Sequence, residues 1–179
     1  MKSNNIFSCS LVIMLLTLVA GCELDFSGKD QEPSYVMTLN EIVKFPRTQS
    51  IEKEVPTYSG KTIWINTHAY LHSRFIMDIE MIPSVEKKGF YDLQLKLDYH
   101  GKLAWMQLSV GHVYKEVGFL VDGVYYRSII PDKISSEYED TVMIRGPFDP
   151  VTAKSLKANA KSNYKLFNGE PKEERFPEF

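Results

Sequence analysis

The sequence predicts an α+β fold with a mainly antiparallel sheet and two packed helices, and three observations support this prediction. Tyr91–Leu97 alternates between apolar and polar residues, which is typical of a half-buried strand. Asp122-Gly123 separates two apolar runs and is a strong hairpin signal, because a type I′ turn needs positive φ at both positions. Asp149-Pro150, an N-cap residue followed by proline at the first helical position, precedes an apolar stripe at helical spacing.

Composition and charge place the chain among ordinary globular proteins. Its 179 residues are 44% hydrophobic and 25% charged, and this length predicts one domain. The 21 basic and 23 acidic side chains give a net charge of −2, which argues against an electrostatic nucleic-acid binder. Cys9 and Cys22 are the two cysteines, too few for a disulfide-rich scaffold or a cysteine-rich zinc site.

The first residues carry the features of a lipoprotein signal peptide, predicted over residues 1–21. Lys2 gives a positive start, and the apolar run at 11–20 rises only ~15 Å as a helix, half of a ~30 Å bilayer core. Leu18-Val19-Ala20-Gly21-Cys22 resembles the bacterial lipobox. That resemblance implies cleavage before Cys22, a diacylglycerol thioether on its sulfur and an acyl chain on its amino group. Glu23 stands where Asp is the usual inner-membrane retention signal, so the outer membrane is favoured, with the protein facing the periplasm.

After the signal peptide, composition divides the chain into four segments. Residues 22–34 are polar and acidic and are predicted to form an acylated tether. Residues 35–61 are a weakly patterned N-terminal extension, in which near-helical apolar spacing runs to Pro46 and a loop is expected after it. Residues 62–169 carry the α+β domain, and residues 170–179 form a charged tail. Within the domain, strands are predicted at 62–66, 75–82, 91–97, 116–121, 124–130 and 141–145, and helices at 100–110 and 150–168.

The two predicted helices differ in their apolar patterns. In the first helix, the residues that fall together on one side are Leu103, Met106, Gln107 and Val110. In the second, the stripe predicted to be buried steps by three and four residues through Ala153, Leu156, Ala160, Asn163 or Tyr164, and Phe167. Trp64 and Trp105 are assigned to the core.

The segment 62–167 resembles the head subdomain of the first periplasmic loop of SecD, a translocon accessory protein. The residues that carry the resemblance are Tyr91–Leu97 followed by His100-Gly101, then 117–124, 128–131, and 142–148 leading into the closing helix. The resemblance implies the fold of the SecD head and a periplasmic surface that contacts other polypeptides. SecD carries this domain between transmembrane helices that use a proton gradient. We do not expect that activity here, because the sequence shows no comparable span.

The sequence contains no strong catalytic or metal-binding motif, and we predict a protein that is not an enzyme and has no cofactor or metal. His68-x-x-x-His72 has the spacing of two ligands on one helical face, but no Glu follows the first His and no third ligand is evident. His100 and His112 flank the first predicted helix, where surface positions are expected. The carboxylates that cluster in a predicted loop, and are expected to be solvated, are Glu137, Glu139 and Asp140.

Two groups of residues are candidates for contact with a partner. Tyr125, Tyr126 and Arg127 follow the hairpin turn, and Tyr and Arg are over-represented in interface hot spots. The alternative for this group is one core Tyr and one exposed Tyr. A basic stripe lies opposite the apolar stripe of the closing helix and consists of Lys154, Lys157, Lys161 and Lys165. It is either the polar face of an amphipathic helix or a contact for an acidic partner or anionic headgroups.

Together these features predict a lipid-anchored periplasmic protein-binding module. The most specific hypothesis for such a module is an immunity protein that neutralises a secreted toxin, such as a type VI phospholipase effector. An inhibitor of this kind needs only a rigid surface burying ~1,600 Å². The alternative is an accessory factor in protein export or envelope assembly, which the SecD resemblance implies. A third hypothesis is a small-molecule or metal-binding lipoprotein. Met37 is also a candidate internal start, which would leave a nearly complete domain in the cytoplasm.

Overall fold

Two antiparallel sheets and two α-helices lie within the residues that the computed structural model describes, namely 32–111, 115–132 and 140–169. The predicted signal peptide, Cys22, most of the tether, His112, Glu137, Glu139 and the tail lie outside these residues. In chain order the elements are β1 (Met37–Val43), β2 (Glu52–Pro56), β3 (Thr62–Asn66), β4 (Leu71–His72), a 3-10 turn (Ser73–Phe75), β5 (Ile76–Pro83), β6 (Tyr91–Leu97), α1 (Tyr99–Gly111), β7 (Val117–Val121), β8 (Val124–Ile129), β9 (Thr141–Phe148) and α2 (Pro150–Asn168).

The larger sheet has the strand order β2-β3-β1-β7-β8, with β4 also paired to β1. Strand β1 is central: one edge pairs with β7 over residues 37–41, and the other pairs first with β4 and then with β3. The sheet curls so far that Thr57, just after β2, forms a parallel bridge with Tyr125 in β8. The small apolar cluster associated with this curl consists of Val55, Ile65 and Leu120.

The smaller sheet has the order β5-β6-β9, and β6 matches the predicted strand residue for residue. Its leucines at 93, 95 and 97 are buried, while the polar residues between them are half-buried or exposed, so the predicted alternation is confirmed. The main core joins this leucine face to side chains of the larger sheet and of both helices. Its largest members are Trp105, Phe119 and Phe148. The predicted α+β class with a mainly antiparallel sheet and two packed helices is therefore confirmed.

The N-terminal extension forms strands, and the near-helical prediction for it is wrong. Strand β1 departs from simple alternation because its partner changes partway along: β4 pairs up to Leu39, and β3 takes over at Ile42. Asn40 lies at this fork, is 3% exposed, and donates from its side-chain amide to the Asn66 carbonyl oxygen at 2.9 Å. The predicted loop after residue 46 contains β2, an edge strand in which Val55 alone is buried.

Strands β7 and β8 form the predicted hairpin. Asp122 has φ of 49° and Gly123 has φ of 77°, so both turn residues have the positive φ that a type I′ turn needs. The Asp122 carboxylate also accepts hydrogen bonds from the Tyr35 and Val36 N–H groups at 3.1 and 2.7 Å. The hairpin turn therefore holds the residues that lead into β1.

Helix α1 begins after Asp98, whose carboxylate accepts a hydrogen bond from the Gly101 N–H at 2.7 Å. Its buried residues are Gly101, Trp105, Leu108 and Ser109. The Trp105 indole donates to the Asp132 carbonyl oxygen at 3.0 Å, and its assignment to the core is confirmed. Trp64, also assigned to the core, is only half-buried on β3.

Helix α2 confirms the predicted closing helix. The Asp149 carboxylate accepts hydrogen bonds from two backbone N–H groups of the first turn, at 2.9 and 3.0 Å, and Gly169 follows the last turn with φ of 75°. The buried face packs on β5 and includes Leu156. Phe167, which was predicted to belong to that face, is 36% exposed and packs edge-on against His72, because the end of α2 passes beside β4.

Candidate partner-binding surfaces

Helix α1 carries an exposed apolar row, which we name the α1 stripe: Tyr99, Leu103, Met106 and Val110. These side chains are 68%, 41%, 38% and 73% exposed. Their spacing of four, three and four residues aligns them on one side of a helix with about 3.6 residues per turn, over roughly 17 Å. A contiguous apolar patch facing solvent is a feature that marks interaction sites on soluble proteins.

The opposite side of α1 packs into the main core. The grouping of Leu103, Met106 and Val110 on one side was predicted from the sequence, but that side faces solvent. The side that packs is identified by Gly101, where an added Cβ would lie 2.8 Å from the Phe75 carbonyl oxygen. Because both sides of α1 carry apolar residues, spacing alone does not distinguish them. The glycine is the one sequence signal for the buried side, since it permits close backbone approach.

Tyr125, Tyr126 and Arg127 contact neighbours within the domain. The two tyrosines pack against different clusters, Tyr125 against the small one and Tyr126 against the main core, as expected for successive residues of a strand. Tyr126 stacks on Phe148 with ring centroids 5.6 Å apart, and its hydroxyl donates to the Asp149 carboxylate at 2.7 Å. Arg127 donates to a backbone carbonyl oxygen of β9 at 2.9 Å. All three are half-buried, and a role in partner binding stays a prediction.

Tyr126 and Asp149, which contact each other, both have pKa values that depart from their usual values. Burial raises the pKa of the Tyr126 hydroxyl above its usual value. Burial also opposes ionisation of Asp149, but hydrogen bonds from Thr152, Tyr126 and the Val151 backbone together hold the pKa of this carboxyl below its usual value. Asp149 is therefore ionised at the N-terminus of α2, where the helix dipole stabilises negative charge.

Helix α2 exposes the four predicted lysines, which we name the lysine ridge: Lys154, Lys157, Lys161 and Lys165. The helix contains no acidic residue. Lys161 pairs with Asp78 of β5 at 3.0 Å, and within the described ranges no ion pair involves the other three lysines. Among the same residues, no helix has the length and apolar character needed to cross a membrane.

The outer face of the smaller sheet forms a shallow concavity of about 150 Å³, lined by Asp78, Glu80, Gln94, Lys96 and Thr141. Pockets that hold small ligands usually measure about 300–1,000 Å³. Asp78 lies opposite Lys96 in the strand register, and the Gln94 amide donates to the Thr141 hydroxyl at 3.3 Å. The Asp78 carboxylate pairs with Lys161 of α2, so polar groups of this face have partners within the domain, as on a solvated sheet surface.

His68 and His72 do not share a helical face. His68 lies in an exposed loop, whereas His72 ends β4 and accepts the Arg74 N–H on its Nδ1 at 3.0 Å. Burial, and then the charge of Arg74, lower the pKa of His72. Of the predicted carboxylate cluster, Asp140 is described: it is exposed, and its hydrogen bond from Lys102 lowers the pKa of that carboxyl. The described ranges contain no group of three or more His, Cys, Asp or Glu placed to hold a metal ion.

Comparison with known proteins relates the fold to SecDF. No protein-family model matches the sequence, and no curated protein matches it. One similar solved structure, described as a membrane component SecDF that enhances protein export, has a TM-score of 0.48 at 13% identity over 73% of this chain and 63% of that chain. Another, SecDF in a super-membrane-facing form, has a TM-score of 0.50 at 12% identity over 73% of this chain and 19% of that chain. The chain spans less than two thirds of either structure, and its α+β fold is similar to part of SecDF, as the resemblance predicted.

Proposed function

We propose that this chain is a lipid-anchored, periplasm-facing protein-binding module that acts without catalysis by neutralising a secreted toxin. The observation that carries the proposal is the α1 stripe. Its residues stand at positions i, i+4, i+7 and i+11, which is the anchor spacing with which a helix enters an apolar groove. The occupant to which we commit is therefore an apolar groove on a folded partner protein.

The charges on α1 favour a protein groove over a membrane surface as the occupant. Lys102 is the one residue of Tyr99–Gly111 with a permanent charge, and Asp140 neutralises it locally. The stripe therefore offers apolar contact without free cations that would attract anionic headgroups. The backbone of the stripe is also ordered before a partner binds, because Trp105 and Leu108 pack the other side of the helix against the main core. A surface that is already ordered loses little conformational entropy when it binds.

A secreted toxin is the folded partner to which we commit. An inhibitor acts by covering the enzyme it binds, and a typical stable complex buries about 800 Å² on each partner. The α1 stripe supplies an apolar centre for such a contact, and aromatic and Met side chains such as Tyr99 and Met106 are enriched at interface cores. An anchor at Cys22 places this surface at the membrane, where a toxin that attacks envelope lipids, such as a type VI phospholipase effector, acts.

The double variant Leu103→Glu/Met106→Glu tests this function. We expect the wild-type protein to protect cells from a toxin encoded beside its gene and directed to the periplasm, and to purify with it as an equimolar complex. Two charges in the apolar contact are expected to weaken the complex about 100-fold or more, because hot-spot residues contribute about 2 kcal/mol or more each. Gln107→Glu adds a charge on the same helix beside the stripe and is expected to protect like the wild type.

Each outcome of this experiment has a defined meaning. Far-UV circular dichroism and urea unfolding establish that the double variant is folded. Protection by a folded double variant equal to that of the wild type would show that the α1 stripe is not the toxin contact. Failure of the wild-type protein to protect against the co-encoded toxin would reject the immunity role itself.

A second candidate is an accessory role in protein export or envelope assembly. The observation that favours it is the fold similarity to SecDF, which is described as enhancing protein export. This role predicts that crosslinking of the protein in its native cell yields translocon or chaperone subunits, and that deletion slows the export of secreted proteins. Normal export in the deletion strain, together with protection against a toxin, would favour the immunity role over this one.

A further inference from the structure

The N-terminal residues attach to the helix that carries the lysine ridge. The Ser34 N–H donates to the side-chain oxygen of Asn163 at 3.2 Å, and the Asn163 amide donates to the Ser34 carbonyl oxygen at 2.8 Å. The Ser34 hydroxyl donates to the side-chain oxygen of Asn159 at 3.0 Å. These bonds hold Ser34 on the side of α2 opposite the ridge, because at about 100° per residue Asn159 and Asn163 are rotated roughly 120–180° from the ridge lysines, and Asn163 is 2% exposed. Ser34 lies twelve positions after Cys22, so an anchor at Cys22 lies at most roughly 43 Å from Ser34.

The lysine ridge concentrates positive charge on a chain that is acidic as a whole. Four lysines fall within roughly 17 Å of α2, which has no acidic residue, whereas the net charge of the chain is −2. Asp78 partners Lys161, and the other three ammonium groups face solvent. The residues between the lysines include Ala158, whose small side chain allows a flat surface to approach the helix closely.

We infer that the lysine ridge docks the domain onto the anionic phospholipid surface of the membrane that holds its anchor. The observation that carries the inference is the charge of the ridge, which is complementary to anionic headgroups. A tether of up to roughly 43 Å from Ser34 is long enough for the ridge to reach such a surface. The inference rests on the proposed lipid anchor at Cys22. An anchored domain is free to rotate about its tether, and basic residues are attracted to an anionic surface within a Debye length, about 10 Å at 0.1 M salt. The ridge thus selects the orientation in which α2 faces the lipid.

Chemical footprinting of lysines on vesicles tests the orientation. The lipidated protein is reconstituted into phosphatidylcholine vesicles with or without phosphatidylglycerol, and acetylation of each lysine is quantified by mass spectrometry. We expect the ridge lysines to lose reactivity about threefold or more on anionic vesicles alone, and to regain it at about 0.5 M salt. The exposed lysines that serve as internal controls, and are expected to keep their reactivity, are Lys53, Lys61 and Lys88.

Two triple Lys→Glu variants that change the net charge equally provide the second test. Lys154→Glu/Lys157→Glu/Lys165→Glu leaves Lys161 as the reporter, and we expect its protection on anionic vesicles to be lost. Lys53→Glu/Lys61→Glu/Lys88→Glu changes the net charge equally and is expected to leave the protection of Lys161 intact. Unchanged reactivity of the ridge on anionic vesicles would overturn the inference and show a solvated helix face. Equal protection of ridge and control lysines would also overturn it.

A separate measurement distinguishes an error in the proposed lipid anchor at Cys22 from an error in the proposed contact between the lysine ridge and lipid. Mass spectrometry of the protein recovered from cells shows whether Cys22 carries acyl chains. If it carries none, the proposed anchor is wrong, and the footprint is repeated on the chain from Cys22 onward, coupled through that thiol to a maleimide phospholipid. Selective protection of the ridge on the coupled chain would support the docking face, and its absence would overturn it.

Discussion

At the scale of single residues, Tyr126 is of a type that is common in binding interfaces, but its contacts lie within the domain. The sequence places it beside another Tyr and an Arg, a group typical of binding hot spots. In the structure its ring stacks on Phe148 and its hydroxyl bonds to Asp149, the N-cap of α2. Both partners lie more than twenty positions along the chain, so local sequence gives no sign of them.

We expect His72 to make the stability of the domain depend on pH. Burial and the charge of Arg74 lower the pKa of this imidazole below its usual value of about 6.5. The unfolded chain therefore binds a proton there at a higher pH than the folded chain does. Stability is fully present above the unfolded-state pKa and is lost as the pH falls through about 6.5 toward the folded-state pKa.

The variant His72→Asn tests this dependence. Asn keeps an acceptor for the N–H of Arg74 but does not titrate, so we expect its urea midpoint to fall less than that of the wild type between about pH 7.5 and pH 5.5. His68→Asn, in an exposed loop, is the matched control and is expected to follow the wild type. Equal pH dependence of His72→Asn and the wild type would contradict the assignment.

At the scale of elements, the best predicted strands and helices are those that depend on residues close together in the sequence. Strand β6, the β7–β8 hairpin and α2 follow from alternation, an Asp-Gly turn and an Asp-Pro start, each of which acts over a few residues. Strand β1 was not predictable in this way, because it changes partner at Asn40 and loses regular alternation. The exposed side of α1 was not predictable either, because both sides of the helix are apolar and tertiary packing selects between them.

The variant Gly101→Ala tests how closely α1 packs against the core. An added Cβ would lie 2.8 Å from the Phe75 carbonyl oxygen and 3.2 Å from the Leu97 Cβ, so Gly101→Ala forces the helix away from the core. We expect a loss of about 1–3 kcal/mol in the free energy of unfolding, which exceeds the gain of up to about 1 kcal/mol in helix propensity. Gly111→Ala is the control, because an added Cβ there meets no atom within 4 Å among the described residues, apart from its chain neighbours and its own helix backbone, and it is expected to be neutral or slightly stabilising. Urea unfolding distinguishes them, and a stable Gly101→Ala would contradict the close approach.

At the scale of the whole molecule, the two helices suit different partners. The α1 stripe is apolar and suits a groove on a protein, whereas the lysine ridge is cationic and suits a lipid surface. The sequence predicted the fold class, the resemblance in fold to SecD and the position of the ridge, because these follow from local patterns. It did not single out the α1 stripe, because the exposure of those side chains depends on how Gly101 and Trp105 fit against distant strands.

Site-specific photocrosslinking in the native cell tests the claim that the domain binds a protein through the α1 stripe. A photoreactive amino acid replaces Met106 in the stripe or, as the control, Val85, which is 97% exposed in the β5–β6 turn. We expect a discrete adduct from position 106 that mass spectrometry identifies as a secreted toxin, and none from position 85. An adduct with a translocon subunit at position 106 would support the export role instead. No adduct from position 106, or the same adducts from both positions, would contradict the claim.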